Sequence, residues 1–529
     1  MGRLDVLLRG GEVVDGSGSP PYPADVGSID GRLVVLPPGS GAAAEHVVEA
    51  RGHVVAPGFI DVHTHSDVLA GAGPDREQLR RAPLLQGVTT EVCGNCGITP
   101  FPALPHRLPG LAELVTATFG APATAHLDLP SFAASQEGGR RTNLLPLVGH
   151  GALRAGVVGF AERPATATEL AVMCGLLDDA LRQGAAGLST GLIYVPGTHA
   201  GTEEIIALAR VAAAHGKPYV THLRDEMAGV EEALEEALAV ARASGAALQV
   251  SHHKTAGRRG WGATVRTLTT LIEAQRDLDV RCDVYPYTAG STALHAMLPP
   301  WTLQEGVSAM LAEVARAEVR DRVRQDIAEG LEGWENTVGN SGWDRIVVAS
   351  APRSPAAQGR SVADLAAASG ADAVDMACDL LRANDGDVTI VSHSMREDDV
   401  RRVLASPLSM IGSDGVPKPG LPHPRWAGTF ARVLGHYVRD EGLLSLEEAV
   451  HKMTGASARR FGLAGRGEVR SGWTADLVVF DPQEVADTAT YADPLLPPDG
   501  VRTVVVAGRL VVDGGEVQDA CPGRVLTST

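Results

Sequence analysis

Cysteine is scarce in this sequence, with six residues in a chain of 529. So few thiols cannot build the dense disulfide framework that stabilises small secreted domains. We therefore expect a protein of the reducing cytoplasm. Aromatic residues are also few, at 4%, whereas glycine (61) and proline (33) are plentiful. This balance suits a loop-rich α/β enzyme.

Positive charge is in deficit, because 46 lysines and arginines face 64 aspartates and glutamates, for a net charge of −18. That balance argues against nucleic acid and anionic membrane surfaces as partners. No apolar stretch reaches the roughly 18 residues needed to span a bilayer. The first ten residues carry charges and lack the apolar centre of a signal peptide. We expect a soluble monomer or small homo-oligomer, and the charge balance says nothing positive about its substrate.

Both ends of the chain are rich in short strand-like runs. Leu4–Leu8 and Glu12–Val14 lie near the start, and Asp476–Phe480 and Val501–Val506 lie near the end. Their similar character predicts one β-sandwich formed by residues 1–56 and 466–529, with the rest of the chain inserted into it. Two independent terminal modules are the alternative.

The middle of the chain alternates strand-like runs with helical stretches. About eight or nine such units predict a (β/α)8 TIM-like barrel over residues 57–465, with the active site at the carboxyl ends of its strands. A doubly wound sheet is the alternative, but no glycine-rich phosphate loop follows an early strand. The candidate strands are Phe59–Val62, Val88–Val92, Leu144–Val148, Gly187–Ser189, Tyr219–Thr221, Ala247–Val250, Val280–Val284, Val388–Val391 and Leu408–Ile411.

Residues 293–345 interrupt this alternation. They contain a charged run of helical character, Met310–Leu331, and are too long for an ordinary barrel loop. We predict a helical insertion over the barrel mouth that acts as a lid.

Two histidines directly follow the apolar run Phe59–Val62. His63 and His65 are two residues apart, so on a strand they point to the same side and can bind one ion together. Neutral imidazole is the commonest metal ligand in proteins. The alternative is a chance pair on a surface strand.

Further candidate ligands follow later strands. Cys93 and Cys96 end one strand, and since no second CxxC exists, a single thiolate that joins histidines fits better than a zinc knuckle or a redox pair. His222 and His252 follow two successive strands, and Asp414 follows the last one, where it can take a proton from water and return it to a leaving amine. The alternatives are packed cysteines, hydrogen-bonded histidines and a turn aspartate.

Several longer motifs resemble those of the N-acyl-D-amino-acid deacylases, or D-aminoacylases, of the amidohydrolase superfamily. The resemblance covers essentially the whole chain and includes both β-rich ends and the insertion. It implies a zinc-dependent amidohydrolase that cleaves N-acyl-D-amino acids to a carboxylate and a free D-amino acid. The motifs are GNCG at 94–97, STGLIYVPG at 189–197, THLRDE at 221–226, SHHK at 251–254, YPY at 285–287 and SDG…HPR at 413–425.

The resemblance also implies a role for each candidate. Cys96 would replace the bridging carboxylated lysine of other amidohydrolases and, with His222 and His252, hold a tightly bound Zn²⁺. His63, His65 and Asp414 would form a second, weaker site. We prefer His252 to His253 because relatives commonly retain only the first histidine of that pair.

Asp414 would be the general base and acid, and Tyr285 would stabilise the oxyanion. Lys254, Ser291 and Arg425 would hold the α-carboxylate of the substrate. The last role agrees with the chemistry of arginine, whose planar fork binds carboxylates at two points. A solvated Lys254 and a structural ion pair of Arg425 are the alternatives.

Other functions are less compatible with the same residues. A hydantoin or dihydropyrimidine substrate is the main alternative, but relatives of that kind usually carry a lysine where Cys96 stands. A non-catalytic scaffold would not need intact ligands, and a zinc-storage or redox protein would not need the barrel. Leu192, Ile193 and Met297 favour a hydrophobic D-amino acid. Cys93 either packs or competes for metal, and His393 is expected to be a hydrogen-bonded structural residue.

Overall fold

The computed structural model describes residues 3–69, 77–119 and 124–528. The predicted domains also contain residues 1–2, 70–76, 120–123 and 529, which lie outside this described part. The strands are, in chain order, β1 (Leu4–Val13), β2 (Tyr22–Ile29), β3 (Arg32–Leu36), β4 (Ala44–Glu49), β5 (Val54–Pro57), β6 (Phe59–Asp61), β7 (Val88–Cys93), β8 (Asn143–Pro146), β9 (Val148–Gly149), β10 (Leu188–Gly191), β11 (Tyr219–His222), β12 (Leu248–Val250), β13 (Val280–Val284), β14 (Gly290–Ala293), β15 (Ile346–Ser350), β16 (Thr389–Ser392), β17 (Ser409–Ile411), β18 (Leu477–Phe480), β19 (Val501–Val506), β20 (Arg509–Asp513) and β21 (Glu516–Val517).

The helices alternate with the middle strands, and the predicted α/β class is confirmed. The α-helices are α1 (Glu77–Leu85), α2 (Leu108–Phe119), α3 (Leu129–Ser135), α4 (His150–Val157), α5 (Ala167–Arg182), α6 (Thr202–Ala214), α7 (Val230–Ser244), α8 (Gly257–Gly260), α9 (Thr264–Ala274), α10 (Val307–Glu313), α11 (Ala317–Glu329), α12 (Thr337–Ser341), α13 (Val362–Ser369), α14 (Ala373–Ala383), α15 (Glu397–Ala405), α16 (Arg425–Arg432), α17 (Leu446–Met453) and α18 (Gly455–Arg460).

Helix α7 shows why these segments fold as they do. Its first turn carries Glu231 and Glu232, whose charges complement the positive end of the helix. Leu234 and Leu238, four residues apart, are buried on one face. Gly245 ends the helix in the left-handed conformation, at φ 76°, which glycine adopts without strain. Helices of this kind cover the parallel strands.

Strands from both ends of the chain share one sheet. Its order is β21-β20-β19-β18-β5-β1-β2-β3, and β4 also pairs with β1. The two ends meet where β18 pairs antiparallel with β5, with Leu477 opposite Pro57. The valines that dominate β5 and β19 pack well on such a pleated surface and are buried there.

The middle strands are parallel. One sheet has the order β6-β7-β8, and a second has the order β9-β10-β11-β12-β13-β17. Only Leu147 separates β8 from β9, and its amide donates to the carbonyl of Cys93 at 2.9 Å. A parallel bridge joins Thr64, just after β6, to Gly415, shortly after β17. All these strands therefore present their carboxyl ends on one side of the molecule.

The segment between β13 and β17 differs from expectation. Val388–Val391 does not form a parallel strand, because β16 pairs antiparallel with both β14 and β15. The expected helical insertion at 293–345 contains α10, α11 and α12, but it lies within a longer inserted segment that has its own small sheet and its own apolar cluster. Periodicity predicted a strand here and could not reveal its direction.

The terminal sheet and the parallel strands are packed together. Phe59 of β6 stacks on Phe430 with ring centroids 5.6 Å apart and also contacts Phe480 of β18 at 6.3 Å. Val504 belongs to the same buried cluster. Within the described residues, no helix is both long and apolar enough to cross a membrane.

This shared cluster predicts that damage to the terminal sheet weakens the whole protein. Val504→Ala removes two buried methyl groups, so we expect it to lower the free energy of unfolding by about 2 kcal/mol. The matched control is Val47→Ala in β4, where the side chain is 43% exposed, and we expect a change within about 0.5 kcal/mol. Urea unfolding followed by tryptophan fluorescence and circular dichroism measures both. Equal midpoints for the two variants would contradict the shared core.

Candidate metal centre and active-site cavity

The carboxyl ends of the parallel strands bring the candidate ligands together. Each lies at the end of a strand or in the loop that follows it, because that edge of a parallel sheet collects the residues after every strand. His63 and His65 follow β6, Cys96 follows β7, His222 ends β11, His252 follows β12, Tyr285 follows β13 and Asp414 follows β17.

Four buried side chains converge on one point. The Cys96 thiol lies 3.4 Å from Nε2 of His63 and 3.4 Å from Nε2 of His252. Oδ1 of Asp414 lies 3.4 Å from the same atom of His63. One donor atom from each of the four residues lies within 4.8 Å of the other three. A thiolate, two imidazoles and a carboxylate form a donor set that suits Zn²⁺.

His222 and His65 lie at the margins of this group. The rings of His222 and His252 meet edge to face, with centroids 4.5 Å apart. Both nitrogens of His222 are buried and make no hydrogen bond to any described residue. Such unsatisfied imidazole nitrogens fit a metal ligand. Nε2 of His65 is 3.3 Å from Oδ1 of Asp414.

Both expected sets of three ligands therefore lie together at this edge. Cys96 and His252 meet His63 and Asp414 directly, whereas His222 joins His252 through Glu226, whose Oε2 is 3.4 Å from Nε2 of His222.

Three residues of the centre have strained backbones. Cys96, His252 and Asp414 have φ angles of 53°, 35° and 50°, in the left-handed region that side chains other than glycine rarely adopt. Beside Cys96, a Cβ on Gly97 would lie 2.7 Å from the amide nitrogen of Gly191, so no larger residue fits there. These turns aim the donor atoms inward, away from the path of the strands.

Asp283 supports the centre from within β13, and sequence reasoning missed it. Its Oδ1 accepts from the amide of His252 at 2.7 Å and lies 3.1 Å from Nδ1 of His63. Gln249 donates to Oδ2 at 2.8 Å. A carboxylate behind a ligating histidine fixes which ring nitrogen faces the metal. The available signal was a buried acid inside an apolar strand.

Glu226 is a second residue for which no role was predicted from the sequence, although it lies in the THLRDE motif. Its Oε1 is 3.0 Å from Nδ1 of His252, and its Oε2 is 2.6 Å from Nζ of Lys254. Burial favours the neutral amine of Lys254, but the charge of Glu226 outweighs it and raises the pKa of Lys254. Nζ of Lys254 also lies 2.8 Å from Nδ1 of His252, so Glu226, Lys254 and His252 form one polar group beside the ligands.

Asp414 is buried but ionised. Burial alone would raise the pKa of its carboxyl, yet Arg425, His252 and His63 together hold that pKa well below its usual value. Nη1 of Arg425 lies 2.9 Å from Oδ2 of Asp414. The carboxylate can therefore accept a proton.

Arg425 occupies a different position from the one expected of a substrate-binding arginine. It is buried behind the cavity wall, where its charge faces Asp414, and its Nη2 donates to the carbonyl of Ser291 at 3.3 Å. Its guanidinium lies 4.6 Å from the centre of the Tyr285 ring. Lys254, Ser291 and Tyr285 themselves line the cavity.

The cavity above the centre has a volume of about 80 Å³, and its walls are of two kinds. Its floor holds the ionisable groups, and its sides are apolar, with Ile98, Phe119, Ile193, Met297 and Val416. Lys254 is the only lysine or arginine among the described residues that line it.

The inserted segment closes part of this cavity. Met297, Thr337 and Glu335 line it from that side. Glu335 accepts from the amide of Glu226 at 2.6 Å, and burial together with the nearby carboxyls of Glu226 and Asp225 raises its pKa to about 8. The inserted segment thus supplies residues to the cavity.

The remaining candidates lie outside the ligand group. Cys93 is fully buried in the apolar core, and burial raises the pKa of its thiol well above the usual value. Nε2 of His253 is 2.9 Å from Oγ1 of Thr267. His393 packs edge to face on Tyr491 at 4.9 Å.

Comparison with known proteins places these residues in context. A model of the amidohydrolase family matches residues 46–512. The chain is 39% identical to a D-aminoacylase and 38% identical to an N-acyl-D-glutamate deacylase, both from Alcaligenes xylosoxydans xylosoxydans. The matches cover 99% of this chain in each case, and 98% and 96% of the two relatives.

The chain is also similar to solved structures of deacylases of this kind. The N-acyl-D-glutamate deacylase from Bordetella bronchiseptica, solved with zinc and a phosphonate that mimics the tetrahedral intermediate, superposes with a TM-score of 0.84. Its sequence is 36% identical, and the match covers all of both chains.

The geometry predicts that adjacent histidines differ in their effect on metal binding. His252→Gln removes a donor that faces Cys96, so we expect purified protein to lose most of its bound Zn²⁺. His253→Gln is the matched control, because that ring faces Thr267, and we expect its metal content to equal the wild type. Elemental analysis after gel filtration gives the stoichiometry, and circular dichroism checks folding. Full zinc occupancy in a folded His252→Gln protein would exclude His252 as a ligand.

Proposed function

Because the chain belongs to the amidohydrolase family, and within it to the N-acyl-D-amino-acid deacylases, we propose that it hydrolyses N-acyl-D-amino acids to a carboxylate and a free D-amino acid. The observation that carries this proposal is the convergence of Cys96, His63, His252 and Asp414 at the floor of a cavity. The enzyme is a hydrolase of amide bonds.

The strand pairings support a division of the chain that we also propose. The parallel strands would close into a (β/α)8 barrel over residues 57–465, since the bridge between Thr64 and Gly415 links the two sheets. Residues 1–56 and 466–529 would form the β-sandwich. Residues 293–345 would form the lid, as part of the inserted segment.

The donor atoms support a zinc centre at this site. We assign Cys96, His222 and His252 to a tightly bound Zn²⁺, and His63, His65 and Asp414 to a weaker second position. The unsatisfied nitrogens of His222 support the first assignment. When bound, Zn²⁺ polarises the acyl carbonyl and increases the acidity of water.

The residues of the chain supply proton transfer and charge stabilisation. Asp414 accepts the proton of the attacking water, because its carboxylate is ionised and faces the ligand group. It then donates this proton to the nitrogen of the departing amine. The hydroxyl of Tyr285 donates to the oxygen of the tetrahedral intermediate, where negative charge develops.

Lys254 and Ser291 would hold the α-carboxylate of the substrate. Both line the cavity, and Glu226 keeps the amine of Lys254 charged. We assign Arg425 a contribution to the same anion through its charge, from directly behind Ser291. A carboxylate fixed on one side of the scissile amide would give the preference for the D enantiomer.

This mechanism predicts that Asp414→Asn abolishes catalysis without removing the tightly bound metal. We expect kcat for N-acetyl-D-methionine to fall by about 10²- to 10⁴-fold, because the amide cannot transfer the proton. Asp513→Asn, at an exposed position of β20, is the control and should keep full activity. Wild-type enzyme should release D-methionine and leave N-acetyl-L-methionine intact.

Two results would contradict the proposal. Undiminished turnover by Asp414→Asn would remove Asp414 from the mechanism. Inactivity of the zinc-loaded wild type on every linear N-acyl amino acid would favour the alternative, a cyclic amide such as a hydantoin or dihydropyrimidine, or another specialised amide.

The apolar wall of the cavity supports hydrophobic D-amino acids as substrates. Ile193 and Met297 line it, and Lys254 is the only nearby lysine or arginine among the described lining residues. If Lys254 binds the α-carboxylate, the described lining residues offer no second lysine or arginine for an acidic side chain. A monomer or small homo-oligomer of cytoplasmic location remains the prediction from sequence.

Met297 should therefore control side-chain selectivity. We expect Met297→Ala to lower the ratio of kcat/KM for N-acetyl-D-methionine over N-acetyl-D-alanine by about tenfold, because the side chain of the substrate loses apolar contact. The matched control is Met310→Ala, a fully buried position of α10 that does not line the cavity. It should lower stability and leave the ratio unchanged. An equal change in both variants would contradict the assignment.

A further inference from the structure

A second cleft lies at the opposite ends of the parallel strands. It has a volume of about 490 Å³ and is lined by residues that precede or begin β13 and β17, together with residues of α17 and α18. The metal ligands follow the carboxyl ends of these strands, so this cleft faces away from the metal centre. Nothing in the proposed reaction uses it.

Positive charge dominates its lining, although the protein as a whole carries a net charge of −18. Arg281, Lys452, Arg459 and Arg460 line the cleft, whereas its acidic residues are Asp279 and Glu448. Two of the cations are satisfied within the protein. Arg459 is paired with Glu468 at 3.0 Å, and the amine of Lys452 donates to Ser409 Oγ at 3.0 Å.

Arg460 is incompletely satisfied. Its side chain is only 5% exposed, and Nη1 lies 3.1 Å from Oδ2 of Asp279, itself 67% exposed. Nε donates to Oε1 of Gln249 at 3.2 Å, but Nη2 is buried and makes no hydrogen bond to any described residue. A buried guanidinium N–H without an acceptor is costly unless a ligand supplies one.

Arg281 is the second unsatisfied cation. It donates to the carbonyl of Pro407 at 3.3 Å, and no carboxylate in the described part of the chain forms an ion pair with it. Burial is the main reason why the pKa of Arg460 is lowered to about 10. The nearby charge of Arg281 contributes to the same shift. Two guanidinium groups therefore lie near each other with incomplete compensation.

Simple structural ion pairing does not account for this arrangement. A structural role would leave each cation of the cleft with its own acceptor, as Arg459 has in Glu468. Here the one carboxylate that reaches Arg460 is itself largely in solvent, and Arg281 has only a carbonyl. What the two guanidinium groups lack is an oxyanion with several acceptor oxygens.

The geometry points to a binding site for a phosphate group in this cleft, held between Arg281 and Arg460. Guanidinium forks match the oxygens of phosphate at two points, and a negatively charged group would restore the local charge balance. The ligand class is inorganic phosphate, diphosphate or a phosphate monoester. The site is separate from the metal centre, so binding does not require turnover.

The test measures binding of inorganic phosphate and diphosphate to the zinc-loaded protein by calorimetry at low ionic strength. Arg281→Gln removes one of the two guanidinium groups, at a half-buried position that should tolerate the change. Arg382→Gln, at an exposed position of α14 outside the cleft, is the matched control for lost charge. We expect Kd to rise about tenfold or more in Arg281→Gln and to stay unchanged in Arg382→Gln.

Further outcomes separate this site from the zinc centre. Arg281→Lys should bind with intermediate affinity, because it keeps the charge and loses the fork. All these variants should keep the metal content of the wild type. No measurable binding by the wild type, or equal Kd values for wild type and Arg281→Gln, would overturn the proposal, and the second result would place the anion at the metal. Neither result depends on which amide the enzyme hydrolyses.

Discussion

The ionised carboxylate of Asp414 is the group on which the rest of the centre depends. Burial opposes its charge, and the neighbouring Arg425, His252 and His63 reverse that effect. Arg425 is the first residue of α16 and also donates to the carbonyl of Ser291 in the inserted segment. One ion pair therefore fixes the proton acceptor and links it to the wall of the cavity. A neutral side chain at position 425 would leave Asp414 without its closest fixed counter-charge.

The backbone of the centre is also held in an unfavourable conformation by its surroundings. Cys96, His252 and Asp414 adopt left-handed φ angles just after three different strands. Such a conformation costs on the order of 1 kcal/mol or more for a residue with a side chain, and it persists only where the surroundings fix it. Here Asp283 accepts from the amide of His252, and the amide of Asp414 donates to the carbonyl of His63. The packed strands thus maintain a geometry that the local sequence disfavours.

The sequence predicted the members of this centre because residues that follow parallel strands must meet at one edge of the sheet. His63 and Asp414 could be identified in this way, whereas the choice of Cys96 over Cys93 and of His252 over His253 rested on the resemblance to the deacylases. Glu226 and Asp283 could not, since their roles depend on distances across neighbouring strands that no spacing in the sequence encodes. For the same reason, the run at 388–391 gave no sign that its partners are antiparallel.

Different parts of the chain line the cavity. The candidate ligands and Asp414 all follow parallel strands, whereas Met297, Thr337 and Glu335 reach the cavity from the inserted segment. That segment has its own apolar cluster, so its residues can change without disturbing the strand ends that aim the ligands. Glu335 is the exception, because it accepts from the amide of Glu226, which in turn contacts His252 and Lys254. This one hydrogen bond connects the inserted segment to the proposed ligand His252 and to the proposed substrate-binding residue Lys254.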